Sequence, residues 1–270
     1  MSDHNLSNIS LLPAQRRQRI VEFLKQHGAV TLVQLEQALG VSISTLRRDL
    51  DALAADGEVD RTHGGALLRN QGYSAFEPDA RAAGELSPRE KQAIGAAAAA
   101  RLEPRQSVVF DSGSTVLEAA RAAVRRNIPL TAVTNDVAIA QVLGASPLVQ
   151  VHVLGGVLRP GSATLTGDAL IEAVRVMRAD VLLCGAHAVT DGVLTETSAE
   201  VAATKRALVR CAASRVLLVD GSKFRPRTFM QVCGLGEFQA LITDRSAPAD
   251  ALDAVRASGV EVTVADLEGA

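Results

Sequence analysis

The 270 residues predict an α/β protein in two parts: a small helical module closed by a β-hairpin, then a larger domain built on a mostly parallel sheet. Three observations carry that expectation. Residues 31–56 hold two helical segments joined across Gly40, residues 70–87 mix Gly, Pro, Ser and charge, and from Pro88 onward short apolar runs alternate with helical ones. The first domain is therefore drawn at 13–69, a linker at 70–87 and the second domain at 88–270.

Residues 1 to about 12 lack periodicity and read as a tail. Pro13 suits the first turn of a helix, where an amide proton has no partner to lose, and Ile20, Val21 and Leu24 give that helix an apolar stripe up to His27-Gly28. Thr31 to Leu39 reads as a second helix ended by Gly40, because glycine enters the left-handed conformation at least cost. A third helix is expected from Ser42, a plausible N-cap, to about Asp56. Leu46, Leu50 and Leu53 recur at the helical period and form its packing side, while Ser44, Thr45, Arg47 and Arg48 point away. Gly57 ends it, and residues 58–68 alternate through Val59, Arg61 and His63 to a Gly64-Gly65 turn, as the two strands of a wing do.

Helix, glycine turn, helix is the sequence form of a helix-turn-helix, whose second helix enters the major groove of DNA. In that role Ser42, Ser44, Thr45, Arg47 and Arg48 offer donors to base edges or phosphates, and Arg61 and His63 stand near the wing tip. Without the wing, a three-helix bundle with a solvated arginine pair fits equally well; the wing favours DNA.

Charge sharpens the requirement. The chain has a formal charge of −2, and residues 1–69 hold eight Lys or Arg against eight Asp or Glu, so nothing here binds DNA as a polycation. The DNA reading therefore needs Arg16, Arg17, Arg47, Arg48 and Arg61 on one face. Aromatic residues are 3% of the chain and Trp is absent, which argues against single-strand binding by base stacking. Cys184, Cys211 and Cys233 are widely spaced, an odd number without a CxxC pair, and are expected as reduced core residues of a cytoplasmic protein. The polar first residues lack the pattern of a signal peptide, and no uncharged run is long enough for a membrane span.

In the second domain strands are expected at 107–111, 130–134, 149–154, 180–184, 215–219, 240–243 and 260–264. Helices are expected at 91–102, 115–125, 136–144, 168–178, 198–213 and 248–257. Such alternation reads as a mostly parallel sheet covered on both faces, which binds ligands at the carboxyl ends of its strands. The first strand ends at Asp111-Ser112-Gly113-Ser114-Thr115, directly before a helix. Gly113 admits a ligand close to the backbone, and the Ser114 and Thr115 hydroxyls join the free amides and positive dipole of the helix start, a ready phosphate site. Later strands end at Thr134-Asn135-Asp136, Leu154-Gly155-Gly156 and Asp220-Gly221-Ser222-Lys223, and Glu200 and Lys205 fall on an intervening helix. Lys205 and Lys223 can neutralise a phosphate; Asp111 and Asp220 can accept from sugar hydroxyls. Each taken singly is more simply an N-cap, a turn glycine or a solvated charge, and their recurrence at successive strand ends is what points to one crevice.

Arg16 to Ala66 resembles the winged helix-turn-helix of the DeoR family of bacterial transcription regulators. The matching residues are Arg16, Ile20, Leu24, Leu35, Val41-Ser42, Thr45-Leu46-Arg47-Arg48-Asp49-Leu50, Gly57, Arg61 and His63-Gly64-Gly65-Ala66, with Leu46 where the family usually has isoleucine. The second half resembles the family's C-terminal domain, which is similar in fold to ribose-5-phosphate isomerase. There the matches are Lys91, Asp111 with Gly113-Ser114-Thr115, Thr134-Asn135, Gly155-Gly156, Gly167, Gly185, Glu200, Lys205, Asp220 and Ser222-Lys223-Phe224. The resemblance implies a repressor of carbohydrate genes that binds a double-stranded operator as a homo-oligomer and senses a phosphorylated sugar or related metabolite. One departure is Cys184-Gly185-Ala186-His187-Ala188, in place of a more usual aromatic-bearing strand end, which makes His187 a candidate contact. The competing expectation is a sugar-phosphate isomerase-like enzyme with an appended DNA-binding module, using Glu200 or Asp111 as base and a lysine to stabilise an enediolate. The regulator reading expects no catalysis, no cofactor and no metal.

Overall fold

The computed structural model describes residues 12–27, 29–62, 64–68, 84 and 86–267. The chain divides into two compact units, residues 1–69 and 70–270.

The first unit runs α1 (Pro13–His27), β1 (Ala29–Thr31), α2 (Leu32–Leu39), α3 (Ile43–Ala55), β2 (Val59–Thr62) and β3 (Gly65–Leu68). Ile20, Leu24, Leu35, Leu46 and Leu50 are fully buried at its centre, each contributing about 1.5–3 kcal/mol by leaving water. Thr31 caps α2 in both directions: its hydroxyl accepts from the Gln34 amide at 3.1 Å, and its own amide donates to the Gln34 side chain at 2.8 Å. Gly40 ends α2 with φ +64° and returns its amide to Glu36. Ser42 departs from the sequence expectation. It precedes α3, but its hydroxyl bonds the side chains of Ser44 (3.2 Å) and Thr45 (3.1 Å) and caps no backbone amide. The wing also differs, since β3 pairs with β1 as well as β2 in a three-stranded antiparallel sheet. Gly65 belongs to β3 rather than to a turn. A Cβ there would lie 1.9 Å from the Val30 carbonyl oxygen, so the close approach of β1 demands glycine.

The second unit contains α4 (Pro88–Ala100), β4 (Ser107–Phe110), α5 (Ser114–Arg125), β5 (Leu130–Thr134), α6 (Val137–Gly144), β6 (Val149–Val153), β7 (Val157–Leu158) and β8 (Leu165–Thr166). It continues with α7 (Asp168–Arg175), β9 (Ala179–Cys184), β10 (Ala188–Thr190), β11 (Val193–Glu196), α8 (Ala199–Cys211), β12 (Ala212–Leu218), β13 (Met230–Gly234), β14 (Ala240–Thr243), α9 (Ala249–Ala257) and β15 (Glu261–Val264). The main sheet has seven strands in the order β15-β14-β12-β9-β4-β5-β6, all parallel. Its strands are apolar on both faces. Val108, Phe110, Leu183 and Ile242 pack under α4, α5 and α6, while Val109, Leu182, Leu217 and Leu241 pack under α7, α8 and α9. Gly95 lets α4 and α5 meet backbone to backbone, since a Cβ there would stand 2.6 Å from Ala119 N.

Three short strands that the sequence reading lacks, β10, β11 and β13, form a separate antiparallel sheet, and β7 and β8 form a hairpin outside the main one. All three are five residues or shorter, and β11 pairs with β13 through an irregular register, so no period of two had room to show. The three cysteines are free. Among the described residues no helix is long and apolar enough to cross a membrane, and no group of three His, Cys, Asp or Glu could hold a metal ion.

Candidate functional site

Two surfaces carry the chemistry. In the first unit, α3 buries Leu46, Asp49, Leu50 and Leu53 and leaves Ser42, Ser44, Arg47 and Arg48 exposed, with Thr45 half-buried. Neither Arg47 nor Arg48 makes a hydrogen bond or ion pair among the described residues, so both guanidiniums are held out in water. Arg61 is half-buried and pairs with Asp51 at 3.1 Å. His63 lies outside the described residues. Of the five arginines that the sequence reading placed on one face, Arg16, Arg17 and Arg61 are engaged with acids of the same unit. Arg16 is bound to Asp49, its Nη2 donating at 3.0 Å, and this partner holds its pKa above the ordinary value even though burial opposes the charge. Arg17 stands 3.9 Å from Asp56 and donates to the Pro13 carbonyl.

In the second unit the strand order reverses between β4 and β9: successive strands from β4 run one way through β5 and β6, and those from β9 run the other way. Such a switch point opens a crevice beyond the strand ends. Here it has a volume of about 310 Å³, with walls from the turn after β4, the end of β9, the β7–β8 loop, β11, α8 and the residues after β12. Gly113, at φ +118°, makes the turn into α5, no side chain caps that helix, and Gly113, Ser114 and Thr115 all line the cavity.

Lys205 reaches in from α8. Its ammonium ion-pairs with Asp111, donates to the Gly185 carbonyl at 2.9 Å and stands 3.5 Å from Glu196. Burial opposes that charge, but Asp111 and the neighbouring Cys184 and Glu196 outweigh it and hold the amine above the ordinary lysine range. Lys223 also lines the cavity. Burial, helped by Arg225 and Lys91 and opposed by Asp220 and Glu196, lowers its amine to about 8. His187 is pushed well below the usual histidine value, first by burial and then by Arg225, Lys223, Arg159 and Lys205. Its imidazole is neutral at pH 7.

Of the residues singled out from sequence, Gly113, Ser114, Thr115, His187, Lys205 and Lys223 line the crevice. Others sit beneath it. Asp111 is fully buried and binds Lys205 and the Gly185 amide, which leaves its Oδ1 without a partner. The Thr134 hydroxyl accepts from the Asp136 amide, the Asn135 side chain donates to the Leu165 carbonyl at 3.2 Å, and Asp220 accepts from the Ser222 amide at 3.0 Å. Gly155 and Gly156 are outside the cavity. Gly156 serves the β7–β8 hairpin instead, since a Cβ on it would lie 2.5 Å from the Thr166 carbonyl oxygen. Glu200 is exposed and bonded to Ser198; Glu196, at the end of β11, lines the cavity instead.

Asp136, named with its strand end, also lines the site, as do Arg159, Ser162 and Glu196, which were not singled out. Asp136 caps α6 by accepting from Ala138 and Ile139, and its place beside Asn135 was the signal available. Arg159 and Ser162 belong to an Arg-Pro-Gly-Ser turn, which sequence marks only as a loop.

Residues 87–245 match a family model described as the DeoR C terminal sensor domain, and residues 16–72 match one described as a DeoR-like helix-turn-helix domain. The chain is 33% identical over 258 residues to the HTH-type transcriptional regulator GlpR of Haloferax volcanii, covering 93% of this chain and 98% of that one. It is 30% identical over 235 residues to the glycerol-3-phosphate regulon repressor of Escherichia coli, covering 87% and 92%. Among solved structures, a ribose 5-phosphate isomerase A from Methanocaldococcus jannaschii aligns with a TM-score of 0.38 and 14% identity, over 50% of this chain and 53% of that one.

Proposed function

We propose, from the premise that this chain belongs to the DeoR family of transcription regulators, that it is an operator-binding repressor of carbohydrate genes released or engaged by a phosphorylated sugar. Residues 13–69 are the DNA-binding head, 70–87 the linker and 88–270 the sensor. The observation that supports the effector class best is the uncapped start of α5, open to a crevice that also holds Lys223 and Arg159. A relative named for a glycerol-3-phosphate regulon agrees with it. In the head, Arg47 and Arg48 face the duplex with Ser42, Ser44 and Thr45 beside them, and the protein acts as a homo-oligomer, because one small head supplies half of a palindromic contact. The crevice is read as a binding site rather than a catalytic one. Glu200 points to solvent, and Asp111 is committed to Lys205 beneath the cavity floor.

The test is a gel shift on the DNA flanking the chain's own gene, with and without triose, pentose and hexose phosphates, run beside thermal unfolding with the same compounds. At least one compound should change operator affinity and raise the melting temperature by mass action. Arg48→Ala should weaken operator binding about tenfold or more and reduce the salt slope by about one, while keeping the thermal shift. No compound acting in either assay, or rapid interconversion of aldose and ketose phosphates, would defeat the reading.

A further inference from the structure

Most polar side chains around the crevice are already engaged. Lys205 and Glu196 face each other at 3.5 Å, Asp136 is taken by two amides at the start of α6, and the Ser162 hydroxyl accepts from Thr164. His187 differs from them. Its backbone is fixed at both ends, the amide donating to Glu196 Oε1 at 3.2 Å and the carbonyl accepting from Arg225 Nε and Nη2 at 3.1 and 2.8 Å. It is only 8% exposed and lines the cavity, yet among the described residues its ring has no hydrogen-bond partner. A polar ring on a cavity wall with no protein partner is left to pair with whatever fills the cavity, water or ligand. Its position is also set closely. A Cβ on Gly185, two residues before it, would lie 3.3 Å from the Ser112 carbonyl oxygen, so the end of β9 abuts the turn into α5.

We propose that His187 is the specificity-determining contact of this crevice, hydrogen-bonding a hydroxyl on the carbon chain of the effector while the phosphate lies at the start of α5. The inference rests on the sugar-phosphate reading above. Burial, and after it the cations Arg225 and Lys223 after β12, Arg159 in the β7–β8 loop and Lys205 on α8, keep the ring uncharged at neutral pH, although Glu196 on β11 lies beside its backbone. A neutral imidazole carries one donor and one acceptor, which matches a hydroxyl that both gives and takes, whereas a phosphate dianion only accepts. A site that pairs a hydroxyl rejects the analogue lacking it far better than an apolar wall does.

The experiment is calorimetric titration of the full chain with inorganic phosphate, glycerol 3-phosphate, and ribose and glucose phosphates with their deoxy counterparts. The unaltered protein is compared with His187→Phe, which keeps the bulk, and His187→Asn, which keeps a donor and an acceptor. Affinity for inorganic phosphate should stay within about threefold in all three. The best sugar phosphate should lose about 10–100-fold in His187→Phe, with the spread among sugars collapsing, and recover part of it in His187→Asn. An unchanged spread in His187→Phe, or a parallel loss for inorganic phosphate, overturns the assignment while leaving the sugar-phosphate reading in place. An unaltered chain that binds none of these compounds removes both.

Discussion

Both units fasten a cation to an aspartate, and they use the pair differently. In the head, Arg16 on α1 grips Asp49 on the packing side of α3, and the opposite side of α3 carries Arg47 and Arg48 bare. The pair positions a helix whose working charges lie elsewhere. In the sensor, Lys205 lines the cavity and Asp111 holds it from beneath, so the pair supports a cation that itself faces the cavity. A surface that meets a polyanion needs cations held in water, whereas an enclosed pocket for a small anion must keep its buried charges satisfied by one another until the ligand arrives.

The largest expected effect tests that difference directly. Asp111→Ala leaves Lys205, 4% exposed, without its closest counter-charge and should cost about 3 kcal/mol or more. Asp49→Ala should cost about 1–2 kcal/mol, because Arg16 is 14% exposed and can turn toward water. Hydrogen exchange separates the two, as protection should fall in β4 and β9 for the first and in α1 and α3 for the second. Equal losses would break the comparison.

The next effect concerns pH. Lys223 titrates at about 8, below the ordinary 10.5, so its ammonium is present below that value and absent above it. Affinity for a phosphate ligand should therefore fall about tenfold between pH 7 and pH 9. Lys223→Arg should flatten the profile, and operator binding through Arg47 and Arg48 should not follow it. The sign for folding is opposite. The unfolded chain holds the Lys223 proton more tightly, so this group's contribution to stability rises between about pH 8 and 10.5. A flat affinity profile in the unaltered protein would detach Lys223 from the anion.

The smallest effect separates the two expected helix starts. Thr31→Ala removes a reciprocal cap and should cost about 1 kcal/mol, while Ser42→Ala, which removes no backbone bond, should cost a few tenths. Urea unfolding of the two variants compares them, and a larger loss at Ser42 would restore it as the cap.

The main elements were legible because their signals are local. The stripe of Leu46, Leu50 and Leu53, the left-handed Gly40 and the apolar strands of the parallel sheet each announce themselves within a few residues. The site was legible only in part, because strand ends are local but their convergence is not. Gly113, Ser114, Thr115, His187, Lys205 and Lys223 reach the cavity; Glu200, in the first turn of α8, does not, and Glu196 on the short irregular β11 supplies a carboxylate there. Arg16 misled for a related reason. Charge counting cannot show that an arginine thirty-three residues from Asp49 is spent on it.

Gly95 gives α4 and α5 a shared spine. Small residues along both helices and the missing side chain at that position bring the two main chains into contact, with no soft layer between them to absorb a shift. α5 begins at the Gly113 turn, which lines the cavity, and α4 is the helix that follows residues 70–87. With so little slack between them, a shift of one helix requires a shift of the other.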